Sequence, residues 1–296
     1  MNEQYIIESD KDALDQIQDN SGGRLCVCSE WLGWYQAFIP TFNSLSKVQL
    51  LIERKGNITS DVIVTIIDKA TLLHYEFVRI AIPYSEIQES ASDWVEFDFN
   101  DISVLPGNQY YLGCTTLGGD KNVNYYIWHS SREEVYPGSL YIRWTPSRFQ
   151  IWEPAVDACF ATYGYNNEPP STPEINGPSS GQAKIAYNYT FSATDPNENN
   201  LYYYIEWSKN DPTAKWEGPF SSGEIININH SWDRIGSYTI AVKVRDELGL
   251  ESDWTYHDVI FPKNKPIEIS LLRFFENKFE RFPLFISSFY LPTASY

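Results

Sequence analysis

The chain predicts an all-β protein of two sandwiches in tandem, and three observations carry that expectation. Of its 296 residues 16% are aromatic, with 21 Tyr, 16 Phe and 10 Trp against a single Met; rings and β-branched side chains fit a pleated, half-buried surface better than a helix. Short alternating stretches recur along most of the length, separated by turns containing Pro, Gly and Asn. Between two such runs stands Asn166-Asn167-Glu168-Pro169-Pro170-Ser171-Thr172-Pro173-Glu174-Ile175-Asn176-Gly177-Pro178. Proline fixes φ and removes a donor, so this stretch reads as an extended joint with few contacts. The expected division is a first module over 1–165, a linker over 166–178, a second module over 179–262 and a tail over 263–296.

In the first module, strands are expected at 25–29, 35–40, 46–54, 61–68, 77–83, 94–99, 109–115, 124–129, 139–144 and 158–163. Val62, Val64 and Ile66 alternate with Ile63, Thr65 and Ile67. That pattern is apolar on both faces, as in a strand covered by another layer. A series of short strands with Pro106-Gly107-Asn108 and Pro137-Gly138 as turns, and without a long helix, fits a jelly-roll-like sandwich.

A resemblance joins this reading. Trp34 to Thr41, Leu45 to Val48, Trp94 to Phe99, Pro106 to Tyr111, Tyr136 to Tyr141 and Phe160 to Gly164 form an ordered set of short blocks. In that order they resemble a β-sandwich module of large archaeal and bacterial surface proteins. The resemblance implies a non-catalytic module similar in architecture to carbohydrate-binding modules. Flat rings beside hydrogen-bonding groups suit the apolar face of a sugar. The candidate glycan contacts are Trp31, Trp34, Tyr35, Trp128, Tyr136, Trp144 and Trp152. Core packing is the competing role for each, because alternation sends about half of such rings inward. Trp144 and Trp152 flank Thr145-Pro146-Ser147-Arg148, read as a loop, and are the rings expected to be exposed.

All four cysteines, Cys26, Cys28, Cys114 and Cys159, fall in this module without the C-x-x-C spacing of a zinc site. First and last strands of a sandwich often neighbour each other. Cys159 is therefore a candidate disulfide partner of Cys28, or of Cys26, in an oxidising compartment, with buried free thiols as the alternative.

The second module carries strands at 189–194, 202–207, 224–230, 238–245 and 255–261. Tyr238, Ile240, Val242 and Val244 share one face of the fourth of these, and Thr239, Ala241 and Lys243 the other. About seven strands over so short a span predict an immunoglobulin-like sandwich, and Asp233 to Tyr238 has the arrangement of a tyrosine corner. Together with Ala193 to Asn200, Tyr204 to Trp207, Val244 to Asp246 and Glu251 to Trp254, that stretch resembles the PKD-like immunoglobulin-fold repeats of archaeal and bacterial surface proteins. One departure is Ser208-Lys209-Asn210 after Trp207, where such repeats commonly carry Gly-Asp-Gly. Asp195, Asn197 and Asn199 alternate in a loop, with Asp246 at a strand end. Oxygen ligands of this kind suit calcium, but Asp and Asn in a Pro-containing turn more often cap backbone groups, so no cofactor is expected, with calcium at these residues as the alternative.

In the tail, Ile269, Leu272, Phe275 and Phe279 have helical spacing over 270–282 and Pro283 ends the pattern. A short amphipathic helix is expected there, followed by an apolar strip too short to span a bilayer. Its face would lie in a membrane interface or dock on the second sandwich. Comparable Arg-Phe tails follow immunoglobulin-like repeats in archaeal surface proteins.

A net charge of −17 argues against nucleic acid as a partner, since such binding rests on clustered Lys and Arg. No nucleophile elbow, zinc-protease helix or phosphate loop occurs, and His74, His129, His230 and His257 sit in unrelated contexts. Paired carboxylates among Asp98, Asp101, Glu133 and Glu134 keep a glycosidase as the enzymatic alternative. The first ten residues lack a basic and an apolar signal region, so either export is absent or the true N-terminus precedes this one. Tandem sandwiches and the sequons at Asn57, Asn188 and Asn229 favour an extracellular or cell-surface place. The expected function is non-catalytic binding or adhesion, with a polysaccharide or envelope glycan as partner. A structural spacer and an accessory part of a polysaccharide-degrading enzyme are the alternatives.

Overall fold

Alternation sorts the strands of the first module into two antiparallel six-stranded sheets. The computed structural model describes residues 12–27, 33–68, 76–133, 136–137, 140–145, 148–153 and 156–262, with side chains omitted over 76–77, 141–145 and 148–153. One sheet runs β1 (Ala13–Gln18), β12 (Phe160–Gly164), β4 (Ser44–Lys55), β9 (Tyr125–Ser130), β2 (Gly23–Val27), and β7 (Asp93–Ser103) also pairs with β4. The other runs β11 (Arg148–Glu153), β10 (Leu140–Thr145), β3 (Gly33–Phe38), β8 (Tyr110–Thr116), β5 (Val62–Asp68), β6 (Glu76–Ile82). β4 is the axis of the first sheet, since one edge pairs with β7 while the other takes β12 and then β9.

Val48, Leu50 and Ile52 of β4 share one core with Val62, Val64 and Ile66 of β5, filled out by Phe97, Trp128 and Phe160. The two-sided pattern of β5 is matched by burial on both faces. Ile67 joins Tyr35, Ala37 and Tyr111 in a second, smaller cluster. There the Tyr35 ring lies over Gly113, where a Cβ would stand only 2.3 Å from Tyr35 Cε1, so the ring needs a glycine beneath it. A polar network ties the layers together: Gln36 Nε2 donates to Asp157 Oδ1 at 3.3 Å, Gln36 Oε1 accepts from the Ala158 N–H, and Asp157 Oδ2 accepts from the Tyr136 N–H. Buried polar groups are tolerated in an apolar interior when they are paired in this way.

The second module is a seven-stranded sandwich. A sheet of β13 (Glu174–Asn176), β14 (Tyr187–Ser192) and β17 (Ile226–His230) faces one of β16 (Trp216–Phe220), β15 (Leu201–Glu206), β18 (Gly236–Asp246) and β19 (Thr255–Phe261). Tyr189, Phe191, Tyr203, Trp232, Val242 and Phe261 are among its core residues. The tyrosine corner is present, with Tyr238 Oη donating to the Arg234 carbonyl at 2.9 Å. After Trp207 the turn closes with Asn210 at φ 56, a left-handed conformation that Asn tolerates, and Asp211 accepts from the Trp207 N–H.

Four strands lie outside those expected, namely β1, β11, β13 and β16. Each ends a sheet, so it needs ladder hydrogen bonds on one side only and carries a weaker pattern; β16 even contains Gly218 and Pro219. Because β13 falls inside 166–178, the joint is shorter than expected and its C-terminal half belongs to the second sandwich. The helix expected over 270–282 lies outside the described residues, which contain no α-helix. No helix among them is long and apolar enough to cross a membrane.

Trp128 is fully buried and its indole N–H donates to the Cys159 carbonyl at 2.8 Å. Trp128→Ala is expected to lower unfolding stability by about 3–5 kcal/mol, read by denaturant titration. A change below about 0.5 kcal/mol would instead be that of a surface ring.

Candidate functional site

The rings expected to hold a glycan on the first module divide sharply. Trp34, Tyr35, Trp128 and Tyr136 are all buried, which corrects their assignment as ligand contacts. Their polar atoms are satisfied internally: Trp34 Nε1 donates to the Cys26 carbonyl at 2.7 Å, and Tyr136 Oη donates to Gln16 Oε1 at 3.0 Å. Trp34, Trp128 and Tyr136 lie in the main core, where Phe160 meets Tyr136 edge-on at 5.0 Å, while Tyr35 takes the other face of β3 and packs with Ala37, Ile67 and Tyr111. Trp31 lies outside the described residues. Trp144 and Trp152 sit on the paired strands β10 and β11, and their side chains lie outside the description.

Cys28 also lies outside the described residues. Cys159 is a buried free thiol that accepts from Gln18 Nε2 at 3.8 Å and donates to the Asn20 carbonyl at 3.4 Å. Burial pushes it up to about 12, so it carries no thiolate at neutral pH. Cys114 is likewise raised by burial.

Asp195, Asn197, Asn199 and Asp246 do converge, and the joint is what they surround. Asn167 Nδ2 donates to Asp246 Oδ2 at 2.7 Å, Asn199 Nδ2 donates to Asn167 Oδ1 at 2.6 Å, and the Glu168 N–H donates to Asn197 Oδ1 at 2.7 Å. Asp195 Oδ1 accepts from the Asn197 and Asn199 N–H groups, and Asp246 Oδ1 accepts from the Leu250 N–H. The same joint grips the first module. The Asn167 N–H donates to Asn43 Oδ1 at 2.6 Å, and Tyr165 Oη reaches both Asp101 Oδ2 and Asn199 Oδ1. Burial, followed by the Asp101 carboxylate, raises the Tyr165 phenol above its ordinary value and keeps it a donor. As placed, these groups are a hydrogen-bond clamp, and a calcium ion would have to displace donors from Asp195 Oδ1, Asn197 Oδ1, Asn199 Oδ1 and both Asp246 oxygens. Asn167→Ala leaves several buried groups unpaired and is expected to cost about 1–3 kcal/mol of unfolding stability. Added calcium, or a chelator, should leave the wild-type Tm unchanged; a rise of several degrees with calcium would assign these oxygens to the ion.

On the second sandwich a different surface stands out. Leu201, Tyr203 and Ile205 of β15 point into the core, so Tyr202 and Tyr204 point outward. Strand register then sets Trp216 opposite Tyr204 on one side, Lys243 opposite Tyr204 on the other, Arg245 opposite Tyr202, and Tyr256 opposite Ala241. The rings touch: Tyr204 lies 5.3 Å from Trp216 and 6.1 Å from Trp254, and Trp254 stacks with Tyr256 at 6.5 Å. Tyr256 is 64% exposed and the other four rings are half-buried. Two cations are set among them. Lys243 Nζ is 5.2 Å from the Trp254 centroid and 5.4 Å from that of Trp216, and the Arg245 guanidinium lies 4.5 Å from Trp216 and 5.6 Å from Tyr202. Lys243 pairs with Glu251. The opposite outer face of the same sandwich shows the contrast: it presents Asn188, Thr190, Asn227 and Asn229 to solvent. Sequence reasoning missed the aromatic face; the parity of β15 and β18 could have shown that Tyr202, Tyr204, Lys243 and Arg245 point outward, but not which strands stand beside them.

An open groove of about 500 Å³ is lined by Phe99, Asn100, Asp101 and Glu247, and a cleft of about 150 Å³ lies beside Trp207, Lys215 and Glu217. Near that cleft His230 stacks on Trp207 at 4.1 Å. Desolvation holds this imidazole below its ordinary 6.5, against the opposing pull of Asp211. The folded state therefore binds fewer protons than the unfolded chain as pH falls through 6.5, and stability drops there. Tm is expected to fall on mild acidification, and His230→Gln to flatten that slope.

The described residues hold no cluster of three or more His, Cys, Asp or Glu placed for a metal ion. The fold and this surface thus define a class: a tandem β-sandwich protein with an aromatic, cation-bearing outer face. No protein-family model matches the chain, and no curated protein matches it. Among solved structures it is similar to the PKD domain of an M14-like peptidase from a Thermoplasmatales archaeon. The identity is 44%, over 33% of this chain and 99% of that one, with a TM-score of 0.31.

Proposed function

We propose that this chain is a non-catalytic binding or adhesion protein that holds glycan on the outer face of its second sandwich. The observation that carries the reading is the asymmetry of that sandwich. One outer face is polar and solvated, while the other gathers Tyr202, Tyr204, Trp216, Trp254 and Tyr256 without a covering layer among the described residues. Partly exposed aromatic rings set side by side suit the apolar faces of sugar rings. The first module, jelly-roll-like and similar to carbohydrate-binding modules in this reading, acts as the partner scaffold, and the second is a PKD-like repeat. An extracellular or cell-surface place is in keeping with sequon asparagines Asn57, Asn188 and Asn229, all exposed.

A glycan array on the full chain tests this. Binding to at least one polysaccharide is expected, with Trp216→Ala and Trp254→Ala each weakening it about ten-fold or more, and with Tm changed little because the rings are only half-buried. An array without a hit would favour the structural-spacer reading, in which the face has no ligand. Release of reducing sugar would favour the enzymatic alternative.

A further inference from the structure

We infer that the aromatic face selects an acidic polysaccharide, one whose sugars carry carboxylates, and that Arg245 is the residue that reads the charge. This rests on the reading of the face as a glycan surface. The guanidinium carbon lies 4.5 Å from the Trp216 ring centroid and 5.6 Å from that of Tyr202. No carboxylate among the described residues pairs with it, whereas its neighbour Lys243 is matched by Glu251. A guanidinium carries five N–H donors in a planar fork that matches a carboxylate in bidentate geometry, and contact with aromatic rings does not use those donors up. Rings that grip a sugar and a fork that grips its carboxylate therefore share one patch.

Of the other charges on this sheet, Glu217 beside Trp216 pairs with Lys215. Glu206 stands opposite Ala241, and Asp258 accepts from Thr239 Oγ1 at 2.7 Å, both toward the far end of β18. Glu247 beyond the strand end accepts from Asn200 Nδ2. At the Tyr202 and Trp216 end Glu251 stands across a β-bridge from Arg245 but spends its carboxylate on Lys243, so among the described residues Arg245 has no ion pair of its own. In a chain with 22 basic and 39 acidic residues, long-range attraction cannot explain an unmatched arginine kept on an aromatic surface. The net charge of −17 repels polyanions at a distance, and recognition must come from short-range contacts. Salt screens that repulsion beyond about 8 Å at physiological strength and affects the stacked contact less.

The test uses polygalacturonate and its fully methyl-esterified form, which share a backbone and differ in whether the carboxylates are free, titrated onto the full chain by calorimetry. Polygalacturonate is expected to bind about ten-fold tighter or more, and Arg245→Gln to remove that preference while leaving the weaker binding of the ester in place. Arg245→Lys, which keeps the charge and loses the fork, should recover only part of it. Equal affinity for the two polymers, with binding still lost in Trp216→Ala, would overturn the charge selectivity and leave the glycan reading standing. Binding of neither polymer, or binding unaffected by Trp216→Ala, would overturn both. Sedimentation guards the remaining case, since a wild-type dimer converted to monomer by Trp216→Ala would give the face to a second copy and overturn the proposal.

Discussion

The two-residue period of a paired strand is the constraint on which everything else here depends. Once register is fixed, every ring is committed to one side, and a slip of one residue would exchange core for surface along the whole strand. In β15 this sends Tyr203 into the core and Tyr202 and Tyr204 into solvent, three tyrosines in succession with opposite fates. In β3 it sends Trp34 to one layer and Tyr35 to the other face, and both are buried because β3 lies inside its sheet with packing on each side. Ring type therefore says little about role, and position parity says much.

The joint between the sandwiches works by a different principle. An apolar interface would exclude water by area, whereas here amide and carboxylate groups of Asn43, Asn167, Asn199 and Asp246 satisfy one another in a buried chain. Such networks are directional, and each member is costly to leave unpaired, so they fix geometry more than they add stability. Ser103 Oγ adds a contact from β7 to the Leu248 carbonyl in the turn after β18. The clamp holds the β18 turn, one end of the sheet that carries the aromatic face, against the first module.

In the function proposed above, that face is an adhesive surface. Rings and a guanidinium supply contact area and orientation, and the two cations stand among aromatic neighbours that lower their hydration. In that proposal the acidic bulk of the chain and this small aromatic patch with its two cations act at different ranges, the former repelling polyanions at a distance and the latter selecting a partner at contact.

The sequence by itself determined the all-β class, the positions of most central strands, the two-sided burial of β5 and the tyrosine corner at Tyr238, because local alternation and turn chemistry record these directly. It could not show the edge strands, whose single-sided pairing leaves a weak pattern. It also misjudged the rings: Trp34, Tyr35, Trp128 and Tyr136 looked like ligand contacts and proved to be core. Trp216, Tyr204, Lys243 and Trp254 are far apart in the chain, and no local pattern joins them. Only the register of β15, β16, β18 and β19 brings them onto one face, since hydrogen-bonded pairing across strands is a property of the folded sheet.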